Sequence, residues 1–317
     1  MSRSPDGPGD SAADLSAASP GLALPSDLAA AFERLELMLG AADSPATNPA
    51  RLGVSAARLS PGAGAAAAGT AFAWRAHEQF PAASTIKVYV LQALMERVAA
   101  GELSLDSELT VNAVDIVTGS GVLKTLTPGR RYPLLDLATL MIVVSDNTAT
   151  NVLIDAVGVE QVNASVLKHG WRATHLSGKL QVGAAERGSR PSPSLTSPAD
   201  LLDYFARLWA GALLPPGLTE ACQRIYRQQQ YSELGRALGH DPYSVEVGVA
   251  PWRIASKSGS LRGVRNDAGV FETVDGGPEL VVAVMTKGCP DERFHAENLG
   301  ARVVGLAAAE VHARLMG

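Results

Sequence analysis

Residues 81–100 read Pro81-Ala82-Ala83-Ser84-Thr85-Ile86-Lys87-Val88-Tyr89-Val90-Leu91-Gln92-Ala93-Leu94-Met95-Glu96-Arg97-Val98-Ala99-Ala100, and this stretch decides the fold. From Ile86 to Ala100 it is apolar on nearly every face of a helix, so it belongs at the centre of the molecule and not on its surface. Gly101 ends it. Ser84 and Lys87 stand at its start, three residues apart and on one face, where a hydroxyl and an amine come within hydrogen-bond reach. The beginning of a helix adds a positive field and free N–H donors. A lysine taken out of water there has its ammonium form disfavoured, so it accepts the serine proton and makes the serine a nucleophile. Taken alone, the pair is better described as a capping serine and a lysine reaching back to solvent.

Outward from this helix the periodicity stays helical to about Gly211. Pro133 opens a helix over Leu134 to Val144, and Asn147 to Val157 forms the next, stopped by Gly158. Ser197-Pro198-Ala199-Asp200 is a compact N-cap before Leu201 to Trp209. Upstream, Ser26 to Ala42 reads as a helix, and Arg51 to Leu59 and Ala71 to Ala76 as strands joined by the Gly/Ala-rich segment 60–70. Downstream, Trp252 to Ser256, Gly269 to Val274 and Leu280 to Thr286 are strand-like, with a turn at Asp275-Gly276-Gly277, and Asp291 to Met316 reads as a closing helix. The expected architecture is α/β (α+β): a five-stranded antiparallel sheet, made by strands from both ends of the chain and flanked by helices, with an all-helical domain inserted. The boundaries are a disordered tail over 1–25, a sheet domain over 26–80 and 213–317, and a helical domain over 81–212, with the active site in the cleft between them.

Composition narrows the function. The 317 residues are 46% hydrophobic and 19% charged, with a net charge of −5 and no basic stripe to meet phosphates, which argues against nucleic acid. No apolar run approaches the roughly 20 residues that cross a bilayer. The N-terminal 25 residues have no apolar core of the kind a signal peptide needs, so the chain as written reads as cytoplasmic, and as periplasmic or secreted if its true start differs. Cys222 and Cys289 make neither a disulfide framework nor a metal site, although one bridge between them is open. Six scattered histidines show no metal spacing, and no metal or cofactor is expected. The expected partner is a small-molecule substrate, and the expected state a monomer.

Two further triplets accompany the first. Ser145-Asp146-Asn147 sits at a helix junction, where it would also serve as a cap. Lys257-Ser258-Gly259, followed by Ser260, lies on a strand, where it would also serve as an exposed strand end. In the order S-x-x-K, S-D-N, K-[ST]-G, the three form the set found in class A β-lactamases and penicillin-binding proteins. The flanks agree: Ile142-Val143-Val144 before Ser145 and Thr148-Ala149 after Asn147, then Val264-Arg265-Asn266-Asp267-Ala268-Gly269 after the third triplet. Over about Ser26 to Gly317 the sequence resembles the class A β-lactamase family of penicillin-recognising serine hydrolases.

The resemblance implies roles. Ser84 is the nucleophile and Lys87 its activating partner. Ser145 relays a proton to the leaving nitrogen, and Asn147 hydrogen-bonds the substrate's amide side chain. Lys257 supplies positive charge that tunes Ser145 and attracts the substrate carboxylate, which Ser258 hydrogen-bonds beside Gly259. The backbone N–H groups of Ser84 and Ser260 form the oxyanion hole. Arg265 is a candidate second carboxylate anchor, and Gly119-Ser120-Gly121 a candidate wall of the cleft.

One element departs from the pattern. Class A enzymes free the acyl-serine with a water activated by a loop Glu in an E-x-x-L-N string before the helix that opens here at Ser197. The closest string is Ser177-Gly178-Lys179-Leu180-Gln181, which puts Ser177 where Glu belongs. The sole carboxylate between Gly170 and Pro198 is Glu186, so Glu186, if the loop folds differently, and Ser177 by its place in the string are the candidates for deacylation. General-base help contributes about 10² to 10⁴-fold, so without it the acyl-enzyme persists and turnover is weak. The expected function is a β-lactamase-like serine hydrolase acting through acyl-Ser84 on β-lactam amides or related esters. The alternatives are a D-Ala-D-Ala peptidase or esterase, and a non-turnover binder of β-lactams or peptidoglycan fragments.

Overall fold

A computed structural model describes residues 24–40, 49–59, 68–180, 193–241, 243–244, 248, 252–273 and 277–316. In chain order its elements are α1 (Ser26–Gly40), β1 (Arg51–Leu59), β2 (Ala68–Trp74), β3 (Phe80–Pro81), α2 (Lys87–Ala99), β4 (Glu108–Val111), β5 (Arg130–Pro133), α3 (Leu134–Val143), α4 (Asn147–Val157), α5 (Val159–Lys168), β6 (Leu195–Thr196), α6 (Pro198–Trp209), α7 (Pro216–Arg227), β7 (Trp252–Leu261), β8 (Val264–Thr273), β9 (Gly277–Lys287) and α8 (Leu299–Met316). A 3₁₀ turn, Ala83–Ile86, leads into α2.

Strands from the two ends of the chain build one five-stranded antiparallel sheet in the order β2-β1-β9-β8-β7, as expected. β1 lies on β9 in the register Val54↔Val284, and β7 on β8 with Lys257↔Ala268. Alternation along β9 explains the layers. Val281, Ala283 and Met285 face the helices that follow Ser84, packing in one cluster with Ile86, Tyr89, Met141, Phe205 and Tyr226. Leu280, Val282 and Val284 face α1 and α8, packing with Phe32, Val304 and Val311. α2 has Val88, Tyr89, Val90 and Leu91 all fully buried, which is why its sequence is apolar on nearly every face. Cys222 and Cys289 are free and buried in different clusters, on opposite faces of the sheet. No helix among the described residues is long and apolar enough to cross a membrane.

Several boundaries move. The closing helix begins at Leu299, not Asp291. The Asp291 carboxylate accepts from the Leu299 N–H and the Asn298 side chain accepts from the Ala301 N–H, so both residues cap the helix from outside it. β2 spans Ala68–Trp74 where 71–76 was expected, and Arg75, at φ +47°, turns the chain away after Trp74. α5 and α7 add helices that the apolar pattern did not separate. α7 buries only a thin stripe (Ala221, Cys222, Ile225, Tyr226). Strands of two to four residues, such as β3 and β6, are too short to show a period. The expected turn at Asp275-Gly276 and the tail over residues 1–23 lie outside the described residues.

Candidate active site

The turn that carries Ser84 is held from three sides. β3 pairs with β6, and the Ala82 N–H donates to the Ser194 carbonyl at 2.8 Å. The side-chain amide of Asn266, on β8, donates to the Pro81 and Ala82 carbonyls at 2.9 and 3.2 Å. β7, an edge strand in the described sheet, presses against the turn at Gly259, where a Cβ would come within 2.9 Å of the Ser84 nitrogen and 3.0 Å of the Ala82 oxygen. Only a residue without a side chain permits this approach. Ala83 adopts φ +51°, a left-handed conformation stored immediately before Ser84. Gly259→Ala is therefore expected to slow acylation at least about 10-fold and to lower stability by about 1–3 kcal/mol, read by adduct formation and by thermal melting.

Lys87 is fully buried beneath this turn. Its ammonium donates to the Ser145 carbonyl at 2.8 Å, the Ser145 Oγ at 3.0 Å and the Asn147 Oδ1 at 2.9 Å. All three donors are thereby taken, and no hydrogen bond to the Ser84 hydroxyl occurs among the described residues. This differs from direct Ser84–Lys87 contact, and the reason is tertiary: helix spacing puts both residues on one face, but the junction of α3 and α4 supplies better acceptors. Burial, and after it the charge of Lys257, hold the Lys87 ammonium well below the usual lysine range, with Asp146 pulling the other way.

The S-D-N triplet divides its labour. Ser145 sits between α3 and α4 at φ +54°, a strained conformation for a non-glycine residue, and this turns its Oγ and carbonyl together onto Lys87. Asp146, not Ser145, is the N-cap of α4: Oδ1 accepts from the Ala149 N–H, and Oδ2 accepts from the Val122 and Leu123 N–H groups at 2.6 and 2.8 Å. Asn147 donates through its side chain to the Thr118 carbonyl and through its backbone to the Ser120 carbonyl. Gly119-Ser120-Gly121 therefore lies directly against the triplet, and Gly121 has no room for a Cβ beside Asp146.

The third triplet enters on β7. Lys257 is buried on the same face as Gly259, and its ammonium donates to the Ser258 carbonyl at 2.7 Å. Burial brings its pKa down to about 7, against the upward pull of Asp267. Ser258 stands opposite Asp267, and Ser260 is exposed opposite Arg265. The structure thus assembles Ser84, Lys87, Ser145, Asn147, Lys257 and Gly259 around one point, with Ser258 and Ser260 along the neighbouring edge.

It does not bring Arg265 there as a free anchor. The guanidinium is buried, donates to the Leu261, Val264 and Arg293 carbonyls, and lies 4.8 Å from the Phe294 ring centroid. These partners make it a strut for the chain before α8. Ser177 is exposed, its N–H bonded to Ser194 Oγ and its hydroxyl to the Pro193 carbonyl, far from the proton-transfer role that its place in the string suggested. Glu186 lies outside the described residues.

Two positions escaped the sequence reading. Asn266 ties the sheet to the Ser84 turn. Asn151, one helical turn beyond Asn147, is buried and grips Leu180 from both sides: its Oδ1 accepts from the Leu180 N–H and its Nδ2 donates to the Leu180 carbonyl, both at 2.8 Å. A second buried polar residue at i+4 on α4 was the available signal. The loop residue clamped to α4 is therefore Leu180, which packs on the apolar core, and not Ser177.

Comparison with known proteins agrees with this fold. Residues 42–314 match the beta-lactamase enzyme family. A beta-lactamase of Rhodobacter capsulatus is 29% identical over 245 residues, covering 77% of this chain and 80% of that protein. The crystal structure of a beta-lactamase from Sphaerobacter thermophilus superposes with a TM-score of 0.74 at 30% identity, covering 92% of this chain and 97% of that one. The structure of PBP-A superposes with a TM-score of 0.72 at 25% identity, covering 94% and 99%.

Proposed function

The chain belongs to the beta-lactamase enzyme family, and from that premise we propose that it is a serine hydrolase that opens β-lactam amides, or related esters, through an acyl-Ser84 intermediate. The observation that carries this reading is the buried Lys87 ammonium, depressed in pKa and hydrogen-bonded at once to Ser145 and Asn147. In its neutral form the amine has a lone pair for the Ser84 proton. Ser84 Oγ then attacks the carbonyl carbon, and the N–H groups of Ser84 and Ser260 hold the developing oxyanion. Ser145 Oγ, 3.0 Å from the lysine nitrogen, hands its proton to the departing nitrogen and takes one from Lys87 in return, so the C–N bond breaks with no net charge left on the protein.

Release of the acyl group is the weak step. No carboxylate occurs among the described residues of the stretch 170–198, and the residue clamped to α4 is the apolar Leu180. This favours, as a second reading, a penicillin-binding protein that captures β-lactams and holds them. Incubation with a chromogenic cephalosporin and an aryl ester, followed by intact-mass measurement, separates the two. Rapid adduct formation on Ser84 with slow colour is the expected result, catalytic colour would favour an efficient lactamase, and neither adduct nor ester cleavage would overturn the serine mechanism.

Lys257 gives a pH prediction. With its pKa at about 7, its positive charge is lost as pH rises through that value. Recognition of a carboxylate-bearing substrate should weaken above about pH 7, seen as a rising KM, while the Lys257→Arg variant, which stays charged, should flatten the profile. A KM independent of pH in the wild type would remove Lys257 from carboxylate recognition.

A further inference from the structure

Gln229 follows the last turn of α7, and no role in the proposed mechanism falls to it. Its side chain is buried, yet both ends of its amide are used. Nε2 donates to the Ile142 carbonyl at 3.0 Å and to the Ser256 carbonyl at 3.3 Å, and Oε1 accepts from the Tyr231 N–H at 3.0 Å. One amide thus joins the end of α3, the turn after α7 and β7. Ile142 lies in the last turn of α3, where carbonyls lack partners in their own helix, and stands three residues before Ser145. Ser256 immediately precedes Lys257 on β7.

β7 is an edge strand of the described sheet, and on such a strand alternate residues turn N–H and C=O away from the neighbouring strand. The Ser256 carbonyl goes to Gln229 and the Ser258 carbonyl to the Lys257 ammonium. The next outward N–H is that of Ser260, the donor assigned to the oxyanion. Gln229 therefore closes the edge of β7 immediately before the stretch assigned to substrate. At its other end it holds the chain that leads into Ser145, whose φ of +54° persists only where the surrounding residues are fixed.

We propose that Gln229 is a positioning residue for β-lactam acylation: its amide sets the separation between Ser145 and the Lys257–Ser258 edge. The proposal rests on the roles given to Ser145 and Lys257 above. A carboxylate-bearing β-lactam uses both sides at once, since its carboxylate is held from β7 while its nitrogen takes a proton from Ser145. A neutral aryl ester uses neither, because it has no carboxylate and its phenolate leaves without a proton. Loss of the Gln229 bridge therefore separates the two substrates, whereas loss of fold affects them alike.

The test compares Gln229→Met with Gln229→Glu. Methionine matches the length of the side chain but makes none of its hydrogen bonds, so acylation of Ser84 by a penicillin should slow about 10- to 100-fold, with acylation by a neutral aryl ester at the wild-type level. In Gln229→Glu the protonated side chain keeps one donor and one acceptor, whereas the carboxylate turns its oxygens toward two carbonyls. Its penicillin acylation, taken relative to wild type at the same pH, should recover as pH falls, and that of Gln229→Met should not. Should Gln229→Met not fold, the pH recovery of Gln229→Glu decides alone. Equal slowing with both substrates, or with neither, would overturn the proposal and leave Gln229 a staple of the fold. Backbone hydrogen exchange, read without substrate, separates a failed bridge from a failed mechanism. In Gln229→Met it should quicken both at Ser145–Asn147 and at Lys257–Ser258. If it does so while the wild type acylates with neither substrate, the serine reading fails and the bridge stands; unless it quickens at both, the bridge falls.

Discussion

Ser84→Ala should abolish the covalent adduct and reduce hydrolysis of any reactive ester by about 10⁴-fold or more, with the melting temperature unchanged. The size follows from the nucleophile being one member of a unit that acts only when complete. The unchanged stability follows from the structure, because no hydrogen bond to the Ser84 hydroxyl occurs among the described residues, and such substitutions fall within about ±0.5 kcal/mol. Lys87→Ala should remove acylation to the same extent but also lower stability, since it strips three hydrogen bonds from Ser145 and Asn147 and leaves a cavity beneath the turn. The double variant should react no more slowly than either single one. Intact-mass kinetics with a penicillin checks all three, and an adduct surviving Ser84→Ala would place the nucleophile elsewhere.

Leu180→Glu should convert a persistent acyl-enzyme into one that turns over. The Asn151 clamp fixes the backbone of residue 180 against α4, and a carboxylate installed there is expected to reach the acyl bond from that anchorage. A general base typically contributes 10² to 10⁴-fold, and a gain of about 10²-fold in deacylation is expected because the surroundings are adapted to an apolar side chain. Leu180→Gln, similar in size and polarity but no base, should leave the acyl lifetime as in the wild type. Equal lifetimes for a folded Leu180→Glu variant and the parent would show that the clamped position does not address the acyl bond.

These expectations also mark what the sequence made legible. The strands at both ends of the chain, the α2 helix buried from Lys87 to Met95 and the N-cap at Ser197 could be read directly, because burial and capping impose residue types at local spacings. The reading went astray where the pattern is short or borrowed. Asp291 to Asn298 looked helical until its side chains were seen capping α8. Arg265 looked like an anchor because the resemblance implies that role for a cation on the strand after the third triplet, whereas three backbone carbonyls claim its guanidinium. The string around Ser177 drew attention away from Leu180, because alignment by spacing does not register which loop residue α4 grips.

The sequence by itself determined which residues the proposed chemistry draws on: a serine, two lysines and the S-D-N triplet, each in a local context that defines a helix start, a helix junction or a strand. Tertiary structure decided how that chemistry is wired. Lys87 bonds to Ser145, 58 residues away, in preference to Ser84, and Asn266 steadies a turn 185 residues before it. Contacts at such separations are chosen by packing of the sheet against the helices and by which buried donors must find acceptors, and neither is written in any short stretch of the chain.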